Sequence, residues 1–181
     1  MKLTPINGSA RLWAISDVWP KELVDQVLAI DWLAEPVIRS PGDMLYRRVV
    51  RPQHQCIQSV EQHMHSVIPE INQITNSNFT RCGGVWNLCE PGYISYIHHD
   101  GELPNNMLIY WHAPDTSYGT TFYNSSSDTD TLHEFKSVAG TGYFMLNHAD
   151  ADGHRPLQYH GTQKPVPENS WRLVTLWNFF P

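Results

Sequence analysis

The chain has 181 residues, 41% of them hydrophobic, with a formal net charge of −6 and a pI near 5.9. That length supports one substantial core and leaves a second full domain cramped, while the acidic balance disfavours a protein that binds by neutralising nucleic-acid phosphates. No stretch approaches the roughly 20 apolar residues of a membrane span, and Met1 to Gly8 lacks the apolar run of a signal peptide, so the expected setting is the cytoplasm.

In chain order, Asp17 to Pro20 reads as a turn that opens a helix, with Pro20 at its first position. Leu23, Val24, Val27, Leu28 and Ile30 continue it at helical spacing to about Leu33. Met44 to Arg51 reads as a strand. A second helix runs from about His54 on the series Ile57, Val60, Met64, Val67 and Ile68; it either closes before Pro69 or continues, kinked, into Ile71 and Ile74. From Val85 onward strand signals dominate, at Tyr93 to His99, Met107 to His112, Thr120 to Tyr123, Glu134 to Val138, Tyr143 to Leu146 and Arg172 to Phe180. The expected organisation is one α+β domain over 1–181, with 1–80 a mainly helical support region and 81–181 strand-rich. Cys56, Cys82 and Cys89 are odd in number and fit neither a disulfide framework nor a paired zinc site, so they read as reduced thiols.

The chemistry concentrates at His98-His99-Asp100. On a strand, alternate side chains share a face, so His98 and Asp100 can address one ion while His99 points away. Two imidazoles and a carboxylate on one face of a metal leave adjacent positions open, the arrangement of non-haem Fe(II) oxygenases. His160 is the best candidate for the third ligand. Arg172 opens the apolar strand that ends at Phe180, and an arginine at the head of a buried strand wants an anion. Among the other histidines, His63 and His65 fall on different sides of a predicted helix, and His112 lies near the mouth of the strand region. His148 and His154 bracket an acidic loop without calcium-loop spacing.

The order Gly92-x5-His98-x-Asp100, then His160-Gly161, then Arg172 resembles the Fe(II)- and 2-oxoglutarate-dependent oxygenases, in the layout of their prolyl-hydroxylase-like branch. The resemblance implies a double-stranded β-helix, or jelly-roll, core over 81–181, with the two N-terminal helices packed on its larger sheet. It places iron at the barrel mouth, with Gly92 to Asp100 and the strand before His160 on opposing sheets. It implies His98, Asp100 and His160 as ligands of Fe(II), with 2-oxoglutarate and dioxygen as co-substrates. Arg172 then pairs with the distal carboxylate of 2-oxoglutarate, and Tyr110 hydrogen-bonds the same group. Lys164 and Arg155 rival Arg172 on charge alone but fall in loop-like surroundings, and Thr175 belongs to the opposite strand face, outside the site. Two features depart from the family: the interval from His160 to Arg172 is slightly long, and Tyr118-Gly-Thr-Thr-Phe122 stands where a Gly-Gly-x-hydrophobic turn is usual.

The implied activity is hydroxylation of an unactivated C–H bond, coupled to decarboxylation of 2-oxoglutarate. The substrate is a small molecule or peptide, with a prolyl or other amino-acid side chain leading and nucleic acid and membrane disfavoured as partners. Two readings compete. A cupin-type metal enzyme without 2-oxoglutarate would ordinarily carry H-x-H where Asp100 stands, and a non-catalytic jelly-roll binding domain would have no need of the ligands together with Arg172. Substrate selection is expected from Met44 to Arg51, Glu102 to Asn106 and Ser125 to Thr131. There Arg47, Arg48 and Arg51 offer either a cationic lip or three solvated surface arginines.

Overall fold

The strand Arg172 to Phe180 forms as its sequence predicts, and the rest of the molecule is arranged about it. Its residues alternate between two environments: Arg172, Val174 and Leu176 face an internal cavity, while Leu173, Trp177 and Phe179 face a core shared with the helices. The computed structural model describes residues 1–38, 47–100, 105–127, 129–147, 158–162 and 164–181. Within them the strands are β1 (Lys2–Pro5), β2 (Leu12–Ser16), β3 (Val37–Ile38), β4 (Arg47–Val50), β5 (Arg81–Cys89), β6 (Ser95–His98), β7 (Asn105–His112), β8 (Thr121–Tyr123), β9 (Thr131–Glu134), β10 (Gly142–Met145), β11 (Tyr159–Thr162) and β12 (Arg172–Phe180); the helices are α1 (Lys21–Leu28) and α2 (Gln55–Thr75).

The strands form two antiparallel sheets, one of eight in the order β1-β2-β10-β7-β12-β5-β4-β3 and one of four in the order β6-β11-β8-β9. β12 pairs along its whole length with β5 and over most of it with β7. α1 and α2 supply Val27, Ile57, Val60, Met64 and Ile71 to a core that also holds Trp86, Met107, Trp111 and Trp177 of the large sheet, so both helices cover its outer face. The fold is therefore mostly antiparallel β with two helices, in a jelly-roll-like arrangement. Among the described residues no helix is long and apolar enough to cross a membrane.

Several elements differ from the sequence reading, each for a physical reason. α1 stops at Leu28 instead of reaching Leu33, which is 60% exposed. Trp32 folds back into the core and donates its indole N–H to the Val27 carbonyl at 2.9 Å, satisfying a helix-end acceptor that would otherwise lack a partner. α2 continues through Pro69 to Thr75 and ends on Asn76 in the left-handed conformation, φ 51°. The missing N–H of Pro69 is offset by burial of Val67, Ile68 and Ile71 on one face.

The first 80 residues, read as mainly helical support, also supply β1 to β4, half of the large sheet. β5 is disguised by Gly83 and Gly84, which lower strand propensity; a Cβ on Gly84 would stand 2.9 Å from the Trp177 ring. The strand expected at Glu134 to Val138 lies earlier, at Thr131–Glu134, because beyond it the backbone bonds the loop before β8: Phe135 N–H to Thr120 O and Ser137 N–H to Thr116 O, both 2.9 Å. Of the strand expected at Met44 to Arg51, β4 is its observed part; Met44 to Tyr46 lie outside the described residues.

Candidate active site

β6 and β11 are neighbours in the small sheet, with His98 the direct register partner of His160. The expectation that their segments lie on opposing sheets is thus corrected; what faces them from the large sheet is Arg172. The two imidazole centroids are 4.5 Å apart. Asp100, two residues beyond the end of β6, brings its Oδ1 to 3.6 Å from His98 Nε2 and 3.8 Å from His160 Nε2. The three donor atoms lie within 4.8 Å of one another. Donors sharing one ion in adjacent positions, each at about 2.1 Å, stand about 3 Å apart, so small side-chain rotations would close this set on a divalent metal.

The surrounding hydrogen bonds point the same way. His98 Nδ1–H donates to the Tyr96 carbonyl at 2.7 Å and His160 Nδ1–H to the Gln158 carbonyl at 2.9 Å, which leaves both Nε2 atoms as lone-pair donors aimed at Asp100. Asn106 Nδ2–H donates to Asp100 Oδ2 at 2.8 Å and leaves Oδ1 for a metal. Burial lowers the pKa of His160 from the usual histidine value, against the opposing pull of Asp100, and so favours the neutral imidazole that a metal requires. Phe122 of β8 stacks on the His160 ring at 5.1 Å. The glycine after His160 has a reason in packing: a Cβ there would stand 2.6 Å from Ser95 O and 3.0 Å from Tyr96 O, on the β6 backbone.

Simple alternation did not capture how this cluster is built. The β6–β11 register shifts between His160 and Thr162, so Ser95 and His98 both line the cavity despite their odd spacing. His99 sets its ring edge-on against Tyr159 at 5.4 Å and stays out of the ligand set, though it borders the cavity.

Between the sheets lies a cavity of about 360 Å³. Arg172 lines it from β12, only 3% exposed, and its Nε and Nη2 have no hydrogen-bond partner. A buried guanidinium with unpaired donors marks an anion site. Tyr110 lies beneath this arginine, its ring centroid 5.6 Å from Cζ. Its hydroxyl accepts a hydrogen bond from the Thr120 backbone N–H at 2.9 Å and also bonds the Thr120 side chain, and burial raises its pKa, so it stays protonated behind the residues that line the cavity.

Tyr143 of β10, which sequence reasoning missed, reaches the cavity wall with its hydroxyl pKa pushed well above the usual range by burial. The sequence places Asn106 and Arg47 only in substrate-selecting segments, with Arg47 part of a cationic lip or a solvated arginine; the structure sets Arg47 on the cavity wall and Asn106 against Asp100, contacts that nothing local marks. Cys89 lines the same wall, buried, and burial pushes its thiol pKa up despite the nearby Arg172, which favours the protonated thiol.

The rivals lie elsewhere. Lys164 is exposed, bonds Ser117 Oγ at 2.8 Å and sits over the Tyr118 ring. Arg155, His148 and His154 fall outside the described residues. His63 bonds the Val18 carbonyl at 2.6 Å, and His112 stacks on Trp171 at 3.9 Å. Thr175 does belong to the opposite face, where its Oγ1 accepts from the indoles of Trp111 and Trp177. The unusual Tyr118-Gly-Thr-Thr segment enters β8 from a short 3-10 turn that buries Tyr118.

No protein-family model matches the chain, and no curated protein sequence matches it. Solved structures do. A Pseudomonas putida prolyl-4-hydroxylase superposes with a TM-score of 0.66 at 16% identity, over 93% of this chain and 91% of that one. The collagen prolyl hydroxylase of Paramecium bursaria Chlorella virus-1, in its 2-oxoglutarate complex, gives 0.58 at 13% identity, over 97% and 98%. HygX of Streptomyces hygroscopicus, with nickel and 2-oxoglutarate bound, gives 0.62 at 13% identity, over 94% and 82%. By fold this chain is a jelly roll of the kind found in the Fe(II)- and 2-oxoglutarate-dependent oxygenases, prolyl hydroxylases among them.

Proposed function

We propose that the protein is an Fe(II)- and 2-oxoglutarate-dependent dioxygenase that hydroxylates an unactivated C–H bond of an amino-acid or peptide substrate, with proline the leading candidate. The observation that carries this reading is Arg172, a buried guanidinium with two unpaired nitrogens in the same cavity as a His-Asp-His cluster. A metal site alone fits many chemistries. A candidate metal site sharing a cavity with a buried arginine that has two unpaired nitrogens fits a co-substrate with a chelating 2-oxo acid at one end and a carboxylate at the other.

The chain's residues divide the work. His98, Asp100 and His160 would hold the metal through two neutral imidazoles and one carboxylate, a donor set that suits Fe(II). Arg172 presents a planar fork of donors to the distal carboxylate and fixes the direction in which the co-substrate lies. Tyr143, protonated, lines the wall beside Arg172, Tyr110 supports Arg172 from behind that wall, and Leu108, Val174 and Leu176 supply its apolar surface. Bound iron supplies, with dioxygen and 2-oxoglutarate, the oxidation that inserts one oxygen into the substrate and releases succinate and CO2. The cupin reading and the non-catalytic reading both leave the charge of Arg172 without a purpose.

The test is a titration of 2-oxoglutarate into anaerobic Fe(II)-loaded protein, following the weak visible charge-transfer band of the chelate. Saturable appearance of the band in the wild type, and its loss with the metal in His160→Ala, is the expected result. A His160→Ala variant that keeps stoichiometric metal would sink the ligand assignment. Proline-rich peptides and free proline, incubated with the aerobic enzyme and weighed by mass spectrometry for a gain of one oxygen, test the substrate class.

A further inference from the structure

Three residues stand in one row across the large sheet: Arg47 on β4 is the register partner of Cys89 on β5, and Cys89 is the partner of Arg172 on β12. All three line the cavity. With strands about 4.8 Å apart, the two arginines leave the sheet about 10 Å from each other, with a thiol between them.

Two like charges on one sheltered wall repel unless each meets an anion. The neighbours of Arg47 solve this locally. Arg48 turns to the other face and forms an ion pair with Glu90, and Arg51 is exposed. Arg47 has no ion pair among the described residues, and its Nε is shielded from solvent without a hydrogen-bond partner. It is therefore a half-buried cation on the cavity wall that no carboxylate among the described residues neutralises.

One 2-oxoglutarate satisfies only one of the two cations, because its other end is spent on the metal. Arg172, nearly sealed at the centre of the sheet, is the deeper of the two. Arg47 is half-buried on β4, one strand from the sheet edge, where a second molecule can reach it. We infer that Arg47 is the receptor for a carboxylate on the primary substrate, which is therefore a small molecule with a free carboxylate, such as an unblocked amino acid, and not an internal residue of a peptide. A single planar guanidinium suits a monoanionic carboxylate; a phosphate dianion would call for more cations than this wall holds. The inference rests on the 2-oxoglutarate reading, since it assigns Arg172 to the co-substrate first.

The experiment uses whole protein loaded with Mn(II) and 2-oxoglutarate without oxygen. Free amino acids, L-proline included, and their amides serve as probes, and binding is read from the paramagnetic broadening of their proton resonances. At least one acid should bind about tenfold or more tighter than its amide; Arg47→Gln should erase that preference and Arg47→Lys retain part of it. The affinity of Arg47→Gln for 2-oxoglutarate, measured separately, should stay within about twofold of wild type, which also shows that the variant is folded. Equal binding of acids and amides, binding of none of the acids, or an intact preference in Arg47→Gln overturns the inference. So does a loss of 2-oxoglutarate affinity in Arg47→Gln, which would give Arg47 to the co-substrate and leave the dioxygenase reading standing. Failure of the wild type to bind 2-oxoglutarate at all would remove that reading itself and this inference with it.

Discussion

His98 and His160 face each other across one rung of the small sheet, each ring tethered through Nδ1 to the carbonyl two residues before it in sequence. The two tethers turn both Nε2 atoms toward Asp100, whose other oxygen is held by Asn106. The cluster is thus organised by the backbone and by one amide.

That arrangement makes Asn106 a positioning residue. Asn106→Ala should leave the fold intact and weaken metal binding by about 10- to 100-fold, because Asp100 loses the bond that orients it. Competition with a chelator of known affinity measures the change. An affinity equal to wild type would mean that Asp100 is oriented by the chain alone.

If the proposed function holds, Arg172→Leu removes a charge-assisted pair with 2-oxoglutarate from the cavity wall. Such a loss costs about 2–5 kcal/mol, or roughly 30- to several-thousand-fold in affinity for 2-oxoglutarate. The charge-transfer titration reads it directly. An unchanged dissociation constant would move the assignment to another cation.

Gly161→Ala tests the close contact of β11 with β6. The new methyl would meet Ser95 O at 2.6 Å and Tyr96 O at 3.0 Å, and neither backbone atom can swing aside. The strands must separate, so His98 moves off His160. Expected are a destabilisation of about 1–3 kcal/mol and a loss of metal affinity, read by urea unfolding and by metal titration of the same sample.

Thr175→Val should act on stability without touching the site. It leaves the indole N–H groups of Trp111 and Trp177 without their common acceptor inside the core, at about 1–3 kcal/mol for each orphaned donor. Urea unfolding should show the loss, while 2-oxoglutarate affinity stays at the wild-type value because the cavity is on the other face of β12.

His112 gives the protein a pH-dependent stability of known sign. Burial lowers its pKa below the usual 6.5, so between the folded value and 6.5 the unfolded chain binds more protons than the folded one. Stability from this group is complete above about pH 6.5, declines as the pH falls toward the folded value, and is constant below it. His133, also lowered by burial, acts in the same direction. In His112→Gln the fall in urea midpoint between about pH 7 and pH 5 should be smaller than in wild type. An identical slope would exclude His112 as a contributor.

What the sequence by itself determined is what nearest neighbours along the chain encode. The alternation of Arg172 to Phe180 and the helical spacing from Ile57 to Ile68 are local patterns that the fold reproduces, and the side chains of His98, Asp100 and His160, singled out by type and spacing, do come together. Their consequences depend on which strands meet. That β6 pairs with β11, so that both histidines stand on one sheet and Arg172 on the other, follows from hydrophobic faces that close only when the whole chain packs. β5 is hidden by Gly83 and Gly84 until Trp177 is seen to fill the space above Gly84, and α1 ends where Trp32 finds the core. Arg47 is the sharpest case. As a sequence position it is one of three arginines in a row of strand residues, and only the register with Cys89 and Arg172 turns it into a second cation on the cavity wall. Tertiary packing decides such roles because strand pairing joins residues whose separation along the chain carries no local signal.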